Sequence, residues 1–331
     1  MFKNFSIIGD GAMGTVLGML LAEKDIDVRM WGHDREQLAE IKKAGENKKF
    51  LPGYKLPEII AFEADDNKIM NDIDLIVSAV PCQFMRVVWN RLKQHVPSAV
   101  PIVSVTKGIE NETLLRPDQI LKETIGDVEV IALSGPTIAD ELARKLPATA
   151  CAACDDEQLA KEVQHTFSVS WFRVYTNTDI IGVELAGAMK NVIAIAAGIV
   201  DGTKAGDNAK AALLSRGLAE ISRLGVAMGA NGQTFSGLTG LGDLVTTCIS
   251  PKGRNRGFGE KIGMGQSVES AQRSTESVIE GIATCKSVVS LAKQFDVEMP
   301  ITEAVFGVLF ENKPVETAIM ELMQRELKSE L

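Results

Sequence analysis

The chain has 331 residues, a formal net charge of −9 and ordinary shares of apolar and charged residues. That length accommodates two domains with cores of their own. The acidic balance argues against a general nucleic-acid binder, which needs a basic face, but leaves room for a small anionic ligand held by a local basic cluster.

The N-terminus, MFKNFSIIGDG, runs straight into a strand-like stretch. It lacks the charged, apolar and cleavage regions of a signal peptide, so the cytoplasm is the expected location. Phe5 to Gly9 reads as a strand and the run TVLGMLLAEK as a helix. Between them Gly9, Asp10, Gly11, Ala12, Met13 and Gly14 spell G-x-G-x-x-G, which in a strand–turn–helix context binds a dinucleotide. Gly9 allows the tight turn, Gly11 lets a pyrophosphate approach the backbone, and Gly14 lets helix and strand pack closely. The helix N-terminus turns unpaired N–H groups and a positive dipole end toward the phosphates. A second strand, Asp27 to Trp31, ends at Gly32-His33-Asp34-Arg35. An acid at this point bonds a ribose 2′-hydroxyl, and basic residues accept a 2′-phosphate. His33 and Arg35 favour NADP; Asp34 keeps NAD open, and it also suits the N-cap of a helix from Arg35 to Ala44.

Asp74 to Val80, Pro101 to Thr106 and Val130 to Leu133 are continuous apolar strands, as in a sheet covered on both faces. They run out into Pro81, Lys107-Gly108 and Ser134-Gly135-Pro136-Thr137. Ligands of open α/β sheets bind beyond the carboxyl ends of the strands. Lys107 and the Gly135–Thr137 turn are therefore site candidates, with a solvated loop lysine as the other reading of Lys107. Ala148 to Ala153 and Phe172 to Asn177 read as two more strands, with a helix near Asp156 to Thr166 between them. The five cysteines, Cys82, Cys151, Cys154, Cys248 and Cys285, are odd in number and spread out, which argues against a disulfide framework. Cys151 and Cys154 form a lone C-x-x-C, and His33, His95 and His165 stand far apart, so no metal site is expected.

After Thr178 the strand signals stop. Ile181 to Val200 is almost wholly apolar yet holds Glu184, Lys190 and Asn191. A lysine near the centre makes a membrane span expensive, so a helix buried inside the protein is expected. Gly187, Lys190, Asn191 and Ala194 share one helical face. A desolvated lysine has a lowered pKa and serves as a general acid or base near neutral pH. Spacing alone leaves open the alternative of a lysine that snorkels or pairs with a buried carboxylate. Asn208 to Met228 has amphipathic spacing, Gly229 to Gly242 reads as a glycine-dense linker, and Ser250 to Gly259 as a basic, glycine-broken loop. There Arg254 and Arg256 suit a phosphate, a solvated surface arginine being the other reading of Arg254. Val278 to Leu327 reads as amphipathic helices. The expected architecture is an α/β Rossmann-type domain with a mainly parallel sheet over residues 1–178, followed by an all-α substrate and catalytic domain over residues 179–331. The apolar C-terminal helices permit a homodimer.

In order along the chain, Gly9–Gly14, Trp31-Gly32-His33, Thr106-Lys107-Gly108, Ser134–Thr137, Glu184–Gly187 with Lys190-Asn191-Val192, Gly240–Asp243 and Arg254–Arg256 together resemble the bacterial NAD(P)-dependent glycerol-3-phosphate dehydrogenase family. The resemblance covers essentially the whole chain. It implies reversible reduction of dihydroxyacetone phosphate to sn-glycerol 3-phosphate, a precursor of membrane phospholipids, with Lys190 as proton donor and acceptor. It further implies substrate contacts from Lys107, Gly135, Thr137, Asp243, Gly253, Arg254 and Asn255. Cofactor contacts are implied from Ala12, Met13, His33, Lys107, Ala139, Arg254, Val278 and Glu280. The family usually has a serine and an aromatic where this chain has Ala12 and Met13, and often a serine at Gly253, so contacts there fall to the backbone. For Asp243 a helix N-cap is the structural alternative. At the level of function the alternatives are a non-catalytic NADP-sensing protein, which needs no buried lysine, or a related dehydrogenase acting on another hydroxy or keto acid.

Overall fold

The computed structural model describes residues 2–275, 278–327 and 329. The first half alternates strands and helices: β1 (Asn4–Ile8), α1 (Ala12–Ala22), β2 (Asp27–Trp31), α2 (Arg35–Ala44), β3 (Ile60–Phe62), β4 (Leu75–Ser78), α3 (Cys82–Leu92) and β5 (Ile102–Ser104). It continues through α4 (Pro117–Ile125), β6 (Val130–Ser134), α5 (Ala139–Ala143), β7 (Ala148–Ala153), α6 (Glu157–Phe167) and β8 (Phe172–Asn177). The eight strands form one sheet in the order β3-β2-β1-β4-β5-β6-β7-β8, parallel throughout except where β6 meets β7. Every residue of β4, β5 and β6 is buried, as a sheet with helices on both faces requires. Neighbouring side chains separate to opposite faces: Ile7 packs with Leu17 and Leu20 of α1, and Ile8 packs with Trp31 and Trp89.

Chain order reverses between β1 and β4, so the crevice beyond their carboxyl ends is the natural place for a ligand. The glycine turn sits there. Gly9 has φ of 119°, and a Cβ on it would lie 2.7 Å from the Ala79 carbonyl oxygen. A Cβ on Gly14 would lie 2.1 Å from the Gly9 carbonyl oxygen, which is how α1 packs so close to β1. Asp34 caps α2, its carboxylate accepting from the N–H groups of Glu36 and Gln37, and Gly45 ends that helix in the left-handed region.

The second half is helical: α7 (Ile180–Gly202), α8 (Asp207–Ala227), α9 (Asp243–Ile249), α10 (Arg254–Gly263), α11 (Val268–Arg273), α12 (Glu280–Gln294), α13 (Pro300–Phe310) and α14 (Val315–Met323). Helix α7 is long and apolar enough to cross a membrane, but 94% of its most apolar window is buried inside the protein. It is the axis around which α8, α9, α10 and α12 pack, and its apolar residues form the largest core cluster. Asp179 caps it, accepting from the Gly182 N–H.

Two expectations from the sequence are corrected here. Residues 229–242 are not a linker: Gly232–Ser236 is a 3-10 turn, and Leu238–Gly242 is a π-helical turn that runs directly into α9. The glycines there serve close packing, since a Cβ on Gly240 would lie 2.0 Å from the Phe235 carbonyl oxygen. Residues 250–259 are not all loop either, because α10 begins at Arg254 and runs through Gly257 and Gly259. Burial of Phe258 and Ile262 against α7 outweighs the poor helix propensity of those glycines.

Candidate active site

Lys190 lies in the middle of α7, 5% exposed. Its ammonium donates to Asp243 Oδ1 and, at 2.6 Å, to Thr247 Oγ1. Asp243 is the first residue of α9 and is 2% exposed. It does not cap that helix; its second oxygen accepts from Lys107 Nζ at 2.7 Å. Lys107, on the loop after β5, also donates to the Gly135 carbonyl at 2.9 Å and to Thr137 Oγ1 at 3.5 Å. Gly187, one turn before Lys190, packs against Ser134: a Cβ there would lie 3.0 Å from Ser134 Oγ and in ordinary contact, at 3.5 Å, with Lys107 Cγ.

One carboxylate thus holds two amines. Burial pushes the Lys190 pKa down to about 7; Asp243 pulls it up and Lys107 pushes it further down. For Asp243, burial favours protonation, but Lys107 and Lys190 together outweigh it and hold the carboxyl below its usual range. The two sequence readings of Lys190, a tuned amine and a partner of a buried carboxylate, turn out to describe the same geometry.

A second chain of contacts leads from α7 to α12. Asn191 donates to the Lys107 carbonyl at 3.3 Å and accepts from Asn255 Nδ2 at 3.0 Å. Asn255 Oδ1 accepts from the Gly281 N–H at 3.0 Å. Glu280, beside it, accepts from the Cys82 N–H at 3.1 Å through Oε1, while Oε2 is buried and has no hydrogen-bond partner among the described residues. Burial pushes the Glu280 carboxyl up to about 7, against the Cys82 N–H and the Arg254 charge. Val278, just before it, is exposed.

Arg254 opens α10, is exposed, and makes no hydrogen bond or ion pair among the described residues. The N-cap of α10 is Gly253, which has no side chain to satisfy the N–H groups of the first turn. An unpaired guanidinium beside an uncapped helix N-terminus suits an anion. Arg256 does not share that role: it is paired with Asp201 at 2.7 Å and Glu260 at 3.2 Å.

Across the crevice, Ala12 and Met13 are the half-buried first residues of α1, and Ala139 is the half-buried first residue of α5. A Cβ on Gly11 would meet nothing within 4 Å, and α1 has no side-chain cap. The turn is therefore open to a pyrophosphate, so these residues fit a dinucleotide. His33 and Arg35 are exposed beyond β2. The glycine turn and the amines are joined through the protein: Gly9 lies against Ala79, and the next carbonyl, Val80, accepts from Thr106 Oγ1 at 2.7 Å, one residue before Lys107. The C-x-x-C residues go separate ways, with Cys151 and Cys154 buried in different apolar clusters.

Comparison with known proteins gives this arrangement its family. The profile for the NAD-dependent glycerol-3-phosphate dehydrogenase N-terminus matches residues 4–160, and that for the C-terminus matches residues 179–320. The chain belongs to the NAD-dependent glycerol-3-phosphate dehydrogenase family. It is 47% identical over 329 residues to glycerol-3-phosphate dehydrogenase (NAD(P)+) of Chlorobium phaeobacteroides strain BS1, with 98% of each chain covered. It is 44% identical over 326 residues to the protein of that name from Bacillus pumilus strain SAFR-032, covering 98% of this chain and 94% of the relative. Among solved structures, glycerol-3-phosphate dehydrogenase from Coxiella burnetii superposes with a TM-score of 0.94 at 36% identity, covering 98% of this chain and 99% of that one. As a member of this family the chain is an oxidoreductase that interconverts dihydroxyacetone phosphate and glycerol 3-phosphate with NAD(P)H.

Sequence reasoning missed Thr247 beside Lys190 and Asp243. Its signal was present: Thr247 stands four positions after Asp243, so it shares a face with it once a helix starts at Asp243. Reading the preceding glycines as a linker hid that helix.

Proposed function

We propose that Lys190 is the general acid and base of this dehydrogenase. When bound, NAD(P)H supplies the hydride, and NAD(P)+ accepts it in the reverse direction. Reduction of the ketone leaves an alkoxide, which the Lys190 ammonium protonates; in oxidation the neutral amine takes the hydroxyl proton. Asp243 and Thr247 aim the amine, and Lys107 with Gly135 and Thr137 frames the carbonyl end of the substrate. Arg254, with the Gly253 and Asn255 end of α10, holds the phosphate. Gly9, Gly11, Ala12, Met13, Gly14, His33, Ala139, Val278 and Glu280, with Lys107 and Arg254, line the dinucleotide. In this reading residues 1–178 bind the cofactor and residues 179–331 supply the substrate site and the base. His33 and Arg35 favour NADPH, with NADH also accepted. The enzyme works in the cytoplasm and supplies glycerol 3-phosphate for phospholipid synthesis.

The observation that carries this reading is the buried Lys190 amine, held by Asp243 and Thr247. Lys190→Ala is expected to lower kcat at least about a hundredfold, followed by cofactor absorbance with dihydroxyacetone phosphate, while the cofactor dissociation constant stays near its original value. Equal losses in turnover and cofactor binding would make Lys190 a structural residue instead.

A further inference from the structure

The acid that discriminates a ribose 2′-hydroxyl from a 2′-phosphate ordinarily stands at the end of the second strand, about 20 residues beyond the glycine turn. Here that strand ends at Trp31 and is followed by Gly32, which has no side chain. The space is filled from the neighbouring strand. A Cβ on Gly32 would lie 2.8 Å from Asp10 Cγ and 2.9 Å from Asp10 Oδ2. The carboxylate of Asp10, inside the glycine turn, therefore occupies the place that a side chain at the end of β2 would take. It is held there from the backbone, because the Asp10 carbonyl accepts from Asn47 Nδ2 at 2.7 Å and from Thr15 Oγ1 at 3.4 Å. Asp10 Oδ2 is buried and has no hydrogen-bond partner among the described residues. A buried carboxylate oxygen left unpaired costs free energy that a donor hydroxyl would recover. Burial, with Asp34 alongside, raises the Asp10 pKa from its ordinary value, against the pull of the backbone, Lys49 and His33.

We propose that Asp10 sets the balance between the two nicotinamide cofactors: its carboxylate accepts a hydroxyl of the adenosine ribose and repels a 2′-phosphate, keeping NADH competitive against the basic His33 and Arg35. Two opposed elements then meet at one ribose carbon, a positive pair after β2 and a negative group reaching over from β1. The proposal rests on dinucleotide binding at the glycine turn. It deepens that reading by naming the residue that decides which dinucleotide is held.

The test is calorimetric titration of the full chain with NADH and with NADPH, in the absence of substrate, for the unsubstituted protein, Asp10→Ala and Asp10→Asn. Asp10→Ala is expected to weaken NADH about tenfold, the size of one charge-assisted hydrogen bond, and to tighten NADPH. Asp10→Asn keeps an acceptor and loses the charge, so NADPH gains while NADH changes little. A ratio of the two dissociation constants that stays put in both variants overturns the proposal, as does equal weakening of both cofactors. If Asp10→Ala does not fold, the ratio in Asp10→Asn decides alone. Should the unsubstituted chain bind NADH more tightly than NADPH, the NADPH preference falls, and a shifted ratio still supports the role of Asp10. Failure of the unsubstituted chain to bind either cofactor would overturn the dinucleotide reading itself and the proposal with it.

Discussion

Lys190 and Asp243 are buried opposite charges, and the value of such a pair lies in what it does to each partner's protonation. Without Asp243, burial and the nearby Lys107 would both act to strip the proton from Lys190. With it, the amine titrates at about 7, so both protonation states are populated at neutral pH. The direction follows from the proposed role of Lys190: oxidation needs the neutral amine, so its kcat is expected to rise as pH passes upward through about 7, and reduction needs the ammonium, so its kcat is expected to fall over the same interval. Asp243→Asn removes the only influence among these three that favours the ammonium. The reduction limb should then move to lower pH by about one unit or more, since one unit is only about 1.4 kcal/mol of charge interaction. Profiles of kcat against pH for both directions check this. A limb that stays in place in Asp243→Asn means the titrating group is not Lys190.

At the scale of elements, α10 carries the phosphate site proposed above. Its first turn has free N–H groups because Gly253 cannot cap it, and Arg254 adds a guanidinium that makes no hydrogen bond or ion pair among the described residues, its charge being felt by Glu280. Arg254→Ala is expected to raise KM for the phosphorylated substrate about ten- to a hundredfold, the worth of one or two charged hydrogen bonds, with a smaller effect on kcat. Because Arg254 is exposed, raising ionic strength on the unsubstituted enzyme should reproduce part of that rise. Initial-rate kinetics across a salt series measure both, and an unchanged KM would remove Arg254 from the phosphate site. The same element shows where the sequence was legible. Strands β2, β7 and β8, and α2 with its Asp34 cap, were readable to the residue, because apolar runs and caps are local signals. Lys190 stood out because a charge inside an apolar helix has few explanations. The start of α10 and the turns before α9 were not legible, because there packing against α7 overrides local glycine chemistry. Strand β3 has only three residues, too few to show a period. Asp10 lay in plain sight within the glycine turn, but its meaning depends on Gly32, which only the pairing of β1 with β2 brings beside it.

The proposed site needs the sheet and the helices held together, because the glycine turn belongs to one and Glu280 and Lys190 to the other. Several buried contacts cross between them: Lys107 to Asp243, the Cys82 N–H to Glu280, Ser287 Oγ to the Ile109 carbonyl at 3.1 Å, and Arg116 Nε to Glu184 at 3.2 Å. The last touches no part of the crevice, so it tests docking alone. Glu184 also accepts from the Asp118 N–H at 2.9 Å, which ties the start of α4 to α7. Burial, with Asp118 alongside, pushes the Glu184 carboxyl well above the usual range against the pull of Arg116. A neutral isostere should therefore be tolerated better than truncation. Glu184→Ala leaves Arg116 paired with Asp118 but takes the acceptor from the Asp118 N–H, and is expected to cost about 2 kcal/mol, while Glu184→Gln, whose amide oxygen still accepts from the Asp118 N–H, costs less. Thermal unfolding measures the ranking. Cofactor titration of the same variants measures the consequence: if the Arg116 contact holds the two halves of the crevice in register, Glu184→Ala also weakens NAD(P)H binding, although position 184 lies six residues from Lys190 along α7. A lower melting temperature with an unchanged cofactor dissociation constant would show that the crevice keeps its shape without this tie, and that the Lys107, Cys82 and Ser287 contacts suffice to hold it.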